Sequence, residues 1–240
     1  MSDILEKIAN ATRGRINQIK TTDFPFEKSL KTPGISFICE VKKASPSKGI
    51  IAEDFDYIQI AKDYEEAGAS AISVLTEPEF FKGSNDYLYE IARNVNIPII
   101  RKDFVVDEFM IYEAKTLGAS AVLLIVALLD DETLKSFLNL AHSLGLSALV
   151  ETHDALEVER ALKAGARIIG VNNRNLRDFK VDLNTSVELR KLVPHDVIFV
   201  SESGISTRAD IEKLGNVDAV LIGESFMKAQ NKKAHLEALR

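Results

Sequence analysis

Eight short apolar runs recur along the chain: ISFICEV, AISVLT, PIIRKDF, AVLLIV, LSALVET, RIIGVNN, VIFVSES and AVLIGES. They are continuous rather than alternating, the pattern of parallel strands covered on both faces. Helix-like stretches fill the intervals, and several end in a glycine just ahead of a run, at Gly68, Gly118, Gly145, Gly165 and Gly215. Glycine past a helix end suits the left-handed position that it alone adopts cheaply. These phrases return at irregular intervals, which predicts repeated αβ units rather than a solenoid of strict period. Eight strands alternating with helices over 240 residues predict a (β/α)8 barrel of the α/β class. A doubly wound sheet is the competing architecture, but no glycine-rich dinucleotide fingerprint or phosphate loop follows any run.

No linker or composition break divides the chain, so residues 1–240 are expected to form one barrel domain. Residues 1–34 precede the first run and read as a helical extension packed on the barrel. Asp3 and Glu6 resemble a capping box, and Ile4, Leu5, Ile8, Thr12, Ile16 and Ile19 follow at helical spacing. Phe24-Pro25-Phe26 then opens a second short element. Asp154 with Glu157 offers another capping box after LSALVET.

A formal net charge of −6 and the absence of tryptophan argue against nucleic acid or an anionic membrane surface as the main partner. The single cysteine excludes an internal disulfide and fits a reducing setting. Cys39 lies inside the first run and reads as a buried thiol. The charged amino terminus lacks a signal-peptide core. The longest apolar run, Ala121 to Leu129, is far short of the ~20 residues a membrane helix needs. A soluble, cytoplasmic protein is expected.

In a barrel of this kind the active site forms at the carboxyl ends of the strands. Those ends carry Glu40 and Lys42, Thr76-Glu77, Lys102-Asp103, Glu151, Asn172 with Arg174, Glu202-Ser203-Gly204, and Gly223-Glu224. Only the fourth ends blandly, in Val126-Ala127. The first loop, within EVKKASPSKG, is the most basic short segment of an acidic chain. Lys102 is a candidate proton donor if it faces inward, or a surface partner of Asp103 if it does not. Glu151 is a candidate base or a helix-cap acid. Glu40 and Glu202 are suited to bind sugar hydroxyls or to hold the lysines. Ser203-Gly204 and Gly223-Glu224 occupy the strand ends where barrels often bind phosphate through backbone N–H groups. The four histidines have no metal-ligand spacing, and His153 reads as a loop residue.

EVKKASPSKG, TEPEFFKGS, IIRKDF, LVETHD, GVNNRNL, VSESGI and LIGES, in this order, closely resemble the indole-3-glycerol phosphate synthases of tryptophan biosynthesis. The resemblance covers essentially the whole chain. It implies that 1-(2-carboxyphenylamino)-1-deoxyribulose 5-phosphate undergoes ring closure, decarboxylation and dehydration, with no cofactor and no metal. The partner is then a small anionic substrate bearing a carboxylate and a phosphate, and association with other enzymes of the pathway is left open. By motif, Lys102 resembles the general acid on the ketone oxygen and Glu151 the general base for the later proton loss. Lys42 resembles a second lysine that orients the substrate's anionic groups; which lysine protonates the leaving hydroxyl stays open. The resemblance makes Glu40, Asn172 and Glu202 binding residues for the reacting part, and Ser45, Arg174 and Ser203 further contacts. It sets Gly204, Gly223 and Glu224 around the phosphate, and Phe81 and Phe104 against the anthranilate ring. An inward Glu224 carboxylate would repel phosphate, so its side chain is expected to turn away. Two rivals remain: another phosphate-binding barrel such as phosphoribosylanthranilate isomerase, or a non-catalytic assembly partner. An isomerase would need an acid–base pair such as a cysteine and an aspartate, and would leave the lysine pair without a role.

Overall fold

A computed structural model describes residues 4, 6–8, 23–175 and 178–240. The helix expected from Asp3 through Ile19 lies outside the described residues, apart from Ile4 and residues 6–8, which are helical. The eight apolar runs form eight parallel strands, β1 (Ser36–Val41), β2 (Ala71–Leu75), β3 (Ile99–Lys102), β4 (Ala121–Ile125), β5 (Ser147–Thr152), β6 (Ile168–Asn172), β7 (Ile198–Glu202) and β8 (Ala219–Ile222). They close into a barrel in sequence order, with β8 paired to β1 through Phe37 opposite Val220.

The helices are α1 (Pro25–Leu30), α2 (Tyr57–Ala67), α3 (Asn85–Asn94), α4 (Phe109–Leu117) and α5 (Asp131–Ser143), then α6 (Ala155–Ala164), α7 (Asn184–Arg190), α8 (Arg208–Leu214), α9 (Glu224–Lys228) and α10 (Lys232–Leu239). Several starts are set by side-chain caps. Asp56, Ser84 and Asp130 each accept a backbone N–H of the first turn, a contact that typically contributes ~1 kcal/mol. Gly68, Gly118 and Gly165 end helices in the expected left-handed conformation. Gly215 departs from it: φ is positive, but ψ is −122°.

Strand side chains alternate between the barrel interior and the helix layer. Two apolar clusters follow from that period. Phe37, Cys39 and Val41 face the helices, whereas Ile38, Ile100, Leu149, Val200 and Leu221 fill the interior. Phe26 and Leu30 of α1 join the interior cluster and close the amino-terminal end of the barrel. The same alternation decides what reaches the other end. Glu40 shares a face with Ile38, Lys102 with Ile100, Glu151 with Leu149 and Glu202 with Val200. Four charged side chains therefore form the top layer of an otherwise apolar barrel interior.

Candidate active site

The carboxyl ends of the strands surround a cavity of about 660 Å³, and every residue expected at the site lines it. Glu40, Lys42, Ser45, Phe81, Lys102, Phe104, Glu151, Asn172, Arg174, Glu202, Ser203, Gly204, Gly223 and Glu224 are thus brought together from strands β1, β3, β5, β6 and β7 and from the segments that follow β1, β2, β3, β6, β7 and β8. Leu75, Leu123, Ile125 and Leu221 supply an apolar floor and wall.

Lys102 is the charged centre. Its Nζ lies 3.2 Å from Glu151 Oε2 and makes a close ion pair with Glu202 Oε2. Asp103, its neighbour in sequence, does not compete: it pairs with the buried Arg101 and accepts from Thr76. Burial works to lower the Lys102 pKa, but the charges of Glu202, Glu151 and Glu40 outweigh it and hold the ammonium above its ordinary range. Glu151 is pushed up by burial and pulled down further by Lys102, His153 and Asn172, so it stays ionised. Glu202 shows the opposite balance. Burial and the neighbouring Glu151 and Glu40 charges raise it against the pull of Lys102, to about 7. Like charges crowded in one low-dielectric site raise the proton affinity of one of them, and here the carboxylate drawn toward protonation is Glu202.

The remaining polar groups hold this centre in place. Glu40 pairs with Lys42, its inward neighbour two residues on. Asn172 donates to Glu151 Oε1 at 3.3 Å, and its own Oδ1 accepts the Arg174 backbone N–H at 3.0 Å. Glycines make room for the carboxylates. A Cβ on Gly170 would lie 2.1 Å from Glu202 Oε1, and one on Gly223 would lie 2.3 Å from Glu40 Oε1.

Ser203 and Gly204 both have positive φ, 68° and 82°. For serine this conformation costs on the order of 1 kcal/mol. Asn173 stabilises the turn by donating to Ser201 Oγ and to the carbonyls of Glu202 and Ser203. The Phe81 and Phe104 rings tilt toward each other with centroids 6.0 Å apart. Phe81 is set by a loop that wraps on the Glu77 carboxylate, which accepts the N–H groups of Glu79, Phe80 and Phe81. The Phe81 carbonyl also accepts from Ala44 N, tying this loop to the hairpin of Ala44–Ser45 and Gly49–Ile50.

Glu224 turns its carboxylate to Lys228 at 2.6 Å, with Lys48 at 4.0 Å. Lys43 lies over the Phe55 ring. Gly170, Asn173 and Lys228 were missed by reading strand ends alone, and Glu77, read as a strand end, serves the Phe81 loop rather than the lining of the cavity. His153, expected as an ordinary loop residue, brings its ring to Glu151, with Nε2 3.4 Å from Oε1. The Asp154–Glu157 capping box is only half formed: Asp154 caps Glu157 N, but the Glu157 carboxylate goes to His153. Cys39 is fully buried on the helix side, where burial raises its thiol pKa strongly; it cannot serve as the acid of an isomerase pair. Among the described residues, no cluster of His, Cys, Asp and Glu is arranged to hold a metal ion, and no helix is long and apolar enough to cross a membrane.

The family model for indole-3-glycerol phosphate synthase matches residues 5–239. The chain is 53% identical to the indole-3-glycerol phosphate synthase of Ruminiclostridium cellulolyticum, covering 99% of this chain and 98% of that one. It is 51% identical to the enzyme of the same name from Lachnoclostridium phytofermentans, over 99% and 98% of the two chains. With the one from Thermoanaerobacter pseudethanolicus the identity is 58%, over 85% of this chain and 78% of the relative. Among solved structures, thiamine phosphate pyrophosphorylase from Pyrococcus furiosus aligns with a TM-score of 0.62 at 18% identity, over 86% of this chain and 93% of that one. That likeness is one of fold.

Proposed function

Since the chain belongs to the indole-3-glycerol phosphate synthase family, we propose that Lys102 and Glu151 are the acid and base of its reaction. The protein is a carboxy-lyase of tryptophan biosynthesis. It converts 1-(2-carboxyphenylamino)-1-deoxyribulose 5-phosphate into indole-3-glycerol phosphate, carbon dioxide and water. The observation that carries the residue assignment is the position of Lys102 Nζ, between Glu151 and Glu202 at the centre of the cavity.

In the first step the ring carbon bearing the carboxylate attacks the ketone. Charge develops on the ketone oxygen, and the Lys102 ammonium donates a proton to it. In the free site two carboxylates hold that proton firmly, but an alkoxide is a stronger base than an amine, so transfer becomes favourable as the bond forms. Positioned acids of this kind contribute ~10²–10⁴-fold. Loss of carbon dioxide then restores the aromatic ring, and an apolar mouth favours conversion of a carboxylate into a neutral gas.

Once Lys102 is neutral, Glu151 has lost the strongest charge holding its pKa down. Its proton affinity rises just before a base is needed. It takes the proton from the carbon beside the nitrogen as the C–O bond breaks, and a lysine ammonium of the site, Lys42 or a Lys102 reprotonated from solvent, gives the departing hydroxyl the proton with which it leaves as water. Lys42, fixed by Glu40, orients the substrate's anionic groups. Phe81 and Phe104 hold the aromatic ring against the apolar wall. Ser45, Asn172 and Arg174 position the reacting part, and the backbone of Ser203-Gly204 and Gly223-Glu224 receives the phosphate. Clamping both ends of the substrate removes the entropic cost of bringing ring and ketone together. Residues 1–240 work as one domain in the cytoplasm, the setting that this biosynthetic chemistry supports.

Two experiments address this assignment. Purified protein given the carboxyphenylamino-deoxyribulose phosphate should generate indole fluorescence; folded protein without turnover would refute the proposed chemistry. Gly170→Ala should push the Glu202 carboxylate off Lys102 and lower kcat by about 10²-fold, since small misplacements at a reacting centre have large effects. Its unfolding midpoint should fall as well, because the buried pair is broken and the barrel interior overpacked, so kcat is read on protein shown to be folded. Wild-type kcat in this variant would show that the Glu202 position does not matter.

A further inference from the structure

Glu151 has different neighbours on its two oxygens. Oε2 faces Lys102, whereas Oε1 faces the Asn172 amide and His153 Nε2. The other ring nitrogen of His153, Nδ1, lies 3.0 Å from Glu157 Oε2. The same Glu157 oxygen accepts the His153 backbone N–H at 2.8 Å. A Glu157–His153–Glu151 chain therefore runs from the first turn of α6 to the end of β5. All three side chains are largely withdrawn from solvent, at 14%, 18% and 4% exposure.

An imidazole between two carboxylates has a determined protonation state. A neutral ring would turn a lone pair on one carboxylate, whereas the imidazolium presents an N–H to each: Nδ1 is hydrogen-bonded to Glu157, and Nε2 lies at ion-pair distance, 3.4 Å, from Glu151 without a hydrogen bond. The charged groups facing this pair are Glu157 from α6, Glu151 from β5, Lys102 from β3 and Glu202 from β7. Asn172 from β6 is neutral. On the proposal that Glu151 is the base, we propose that His153, held as an imidazolium by Glu157, is the positioning residue that orients Glu151 and keeps it ionised. Burial opposes the charge on His153, but its contacts with the Glu151 and Glu157 carboxylates and their charges raise its pKa to about 10. The imidazolium thus persists across the neutral range. Unlike Lys102, it does not give up its proton during ring closure, so it keeps a cation beside Glu151 after Lys102 is spent.

Removing His153 removes a cation from Glu151, so the Glu151 pKa rises and the acid limb of the kcat–pH profile moves to higher pH. Removing the Glu157 charge withdraws an anion from His153, so the His153 pKa falls. NMR titration of the imidazoles in the intact protein should find one histidine charged beyond about pH 8, absent in His153→Asn. In Glu157→Gln the same signal should titrate between about pH 6 and 8. In His153→Asn the acid limb should rise by ~1 unit, kcat on that limb should fall about tenfold, and KM should stay within about threefold. Glu157→Gln should gain an alkaline limb where His153 loses its proton and should recover at lower pH.

A wild-type His153 that titrates at the ordinary histidine position would overturn the proposal. So would a uniform fall in kcat with unmoved limbs, the mark of a purely structural role. Glu151→Gln separates the two levels. If it is inactive and the His153 variants leave the limb in place, only the role of His153 fails. If it turns over normally, the base assignment fails and the His153 role with it.

Discussion

Lys102→Met should reduce kcat by about 10²–10⁴-fold while the substrate still binds. Methionine keeps much of the aliphatic length that lies in the cavity but has no proton to give. Ring closure would then have to build negative charge on the ketone oxygen with no donor at hand. The substitution also leaves Glu151 and Glu202 facing each other without the ammonium that separates them. Glu202, already raised by burial and its neighbours, is the group that would take up a proton, because a buried unpaired charge neutralises rather than persists. The variant should therefore fold, with lower stability and a catalytic loss much larger than its loss of affinity. Indole fluorescence gives kcat, and titration with substrate gives Kd; near-normal kcat would remove Lys102 from the acid role.

Glu151→Gln should cost kcat about as much, again ~10²–10⁴-fold, but for a different reason. Glutamine has the same shape, and its carbonyl oxygen can still accept from Lys102, which also keeps Glu202. The acid therefore survives, and only the later proton loss is without an acceptor. The product that accumulates should be the decarboxylated, still hydroxylated ring, and not unreacted substrate. Recovery of most of the wild-type rate in Glu151→Gln would show that some other group, or water, takes the proton.

The barrel, and which side chains reach its mouth, were legible in the sequence for one physical reason. A strand has a period of two, so the inward apolar residue two places before a strand end also names the charged residue that reaches the mouth. Ile38 and Glu40, Ile100 and Lys102, Leu149 and Glu151, and Val200 and Glu202 all follow that rule. Parity also disposes of Asp103, which sits one residue beyond Lys102 and goes to Arg101 on the helix side.

The groups that were missed are those whose placement depends on backbone turns or on empty space. Gly170 lies within a strand, not at its end, and its role appears only as the gap occupied by Glu202. Glu77 was named as a strand end, but its carboxylate acts by folding its own loop through the N–H groups of Phe80 and Phe81, which the sequence does not show. Glu157 looked like half of a capping box, yet it reaches one residue further back, to His153. Spacing alone does not distinguish those two reaches, because both begin from the same turn of helix.

Lys102 and Glu151 divide the reaction in time: Lys102 acts before carbon dioxide leaves, and Glu151 acts after. Single-turnover reactions with substrate labelled in its carboxylate test this most directly, by following released carbon dioxide and indole fluorescence together. Wild-type protein should yield both. Lys102→Met should yield neither, and Glu151→Gln should release carbon dioxide without forming indole. Carbon dioxide withheld by Glu151→Gln, or released at the wild-type rate by Lys102→Met, would contradict the assignment.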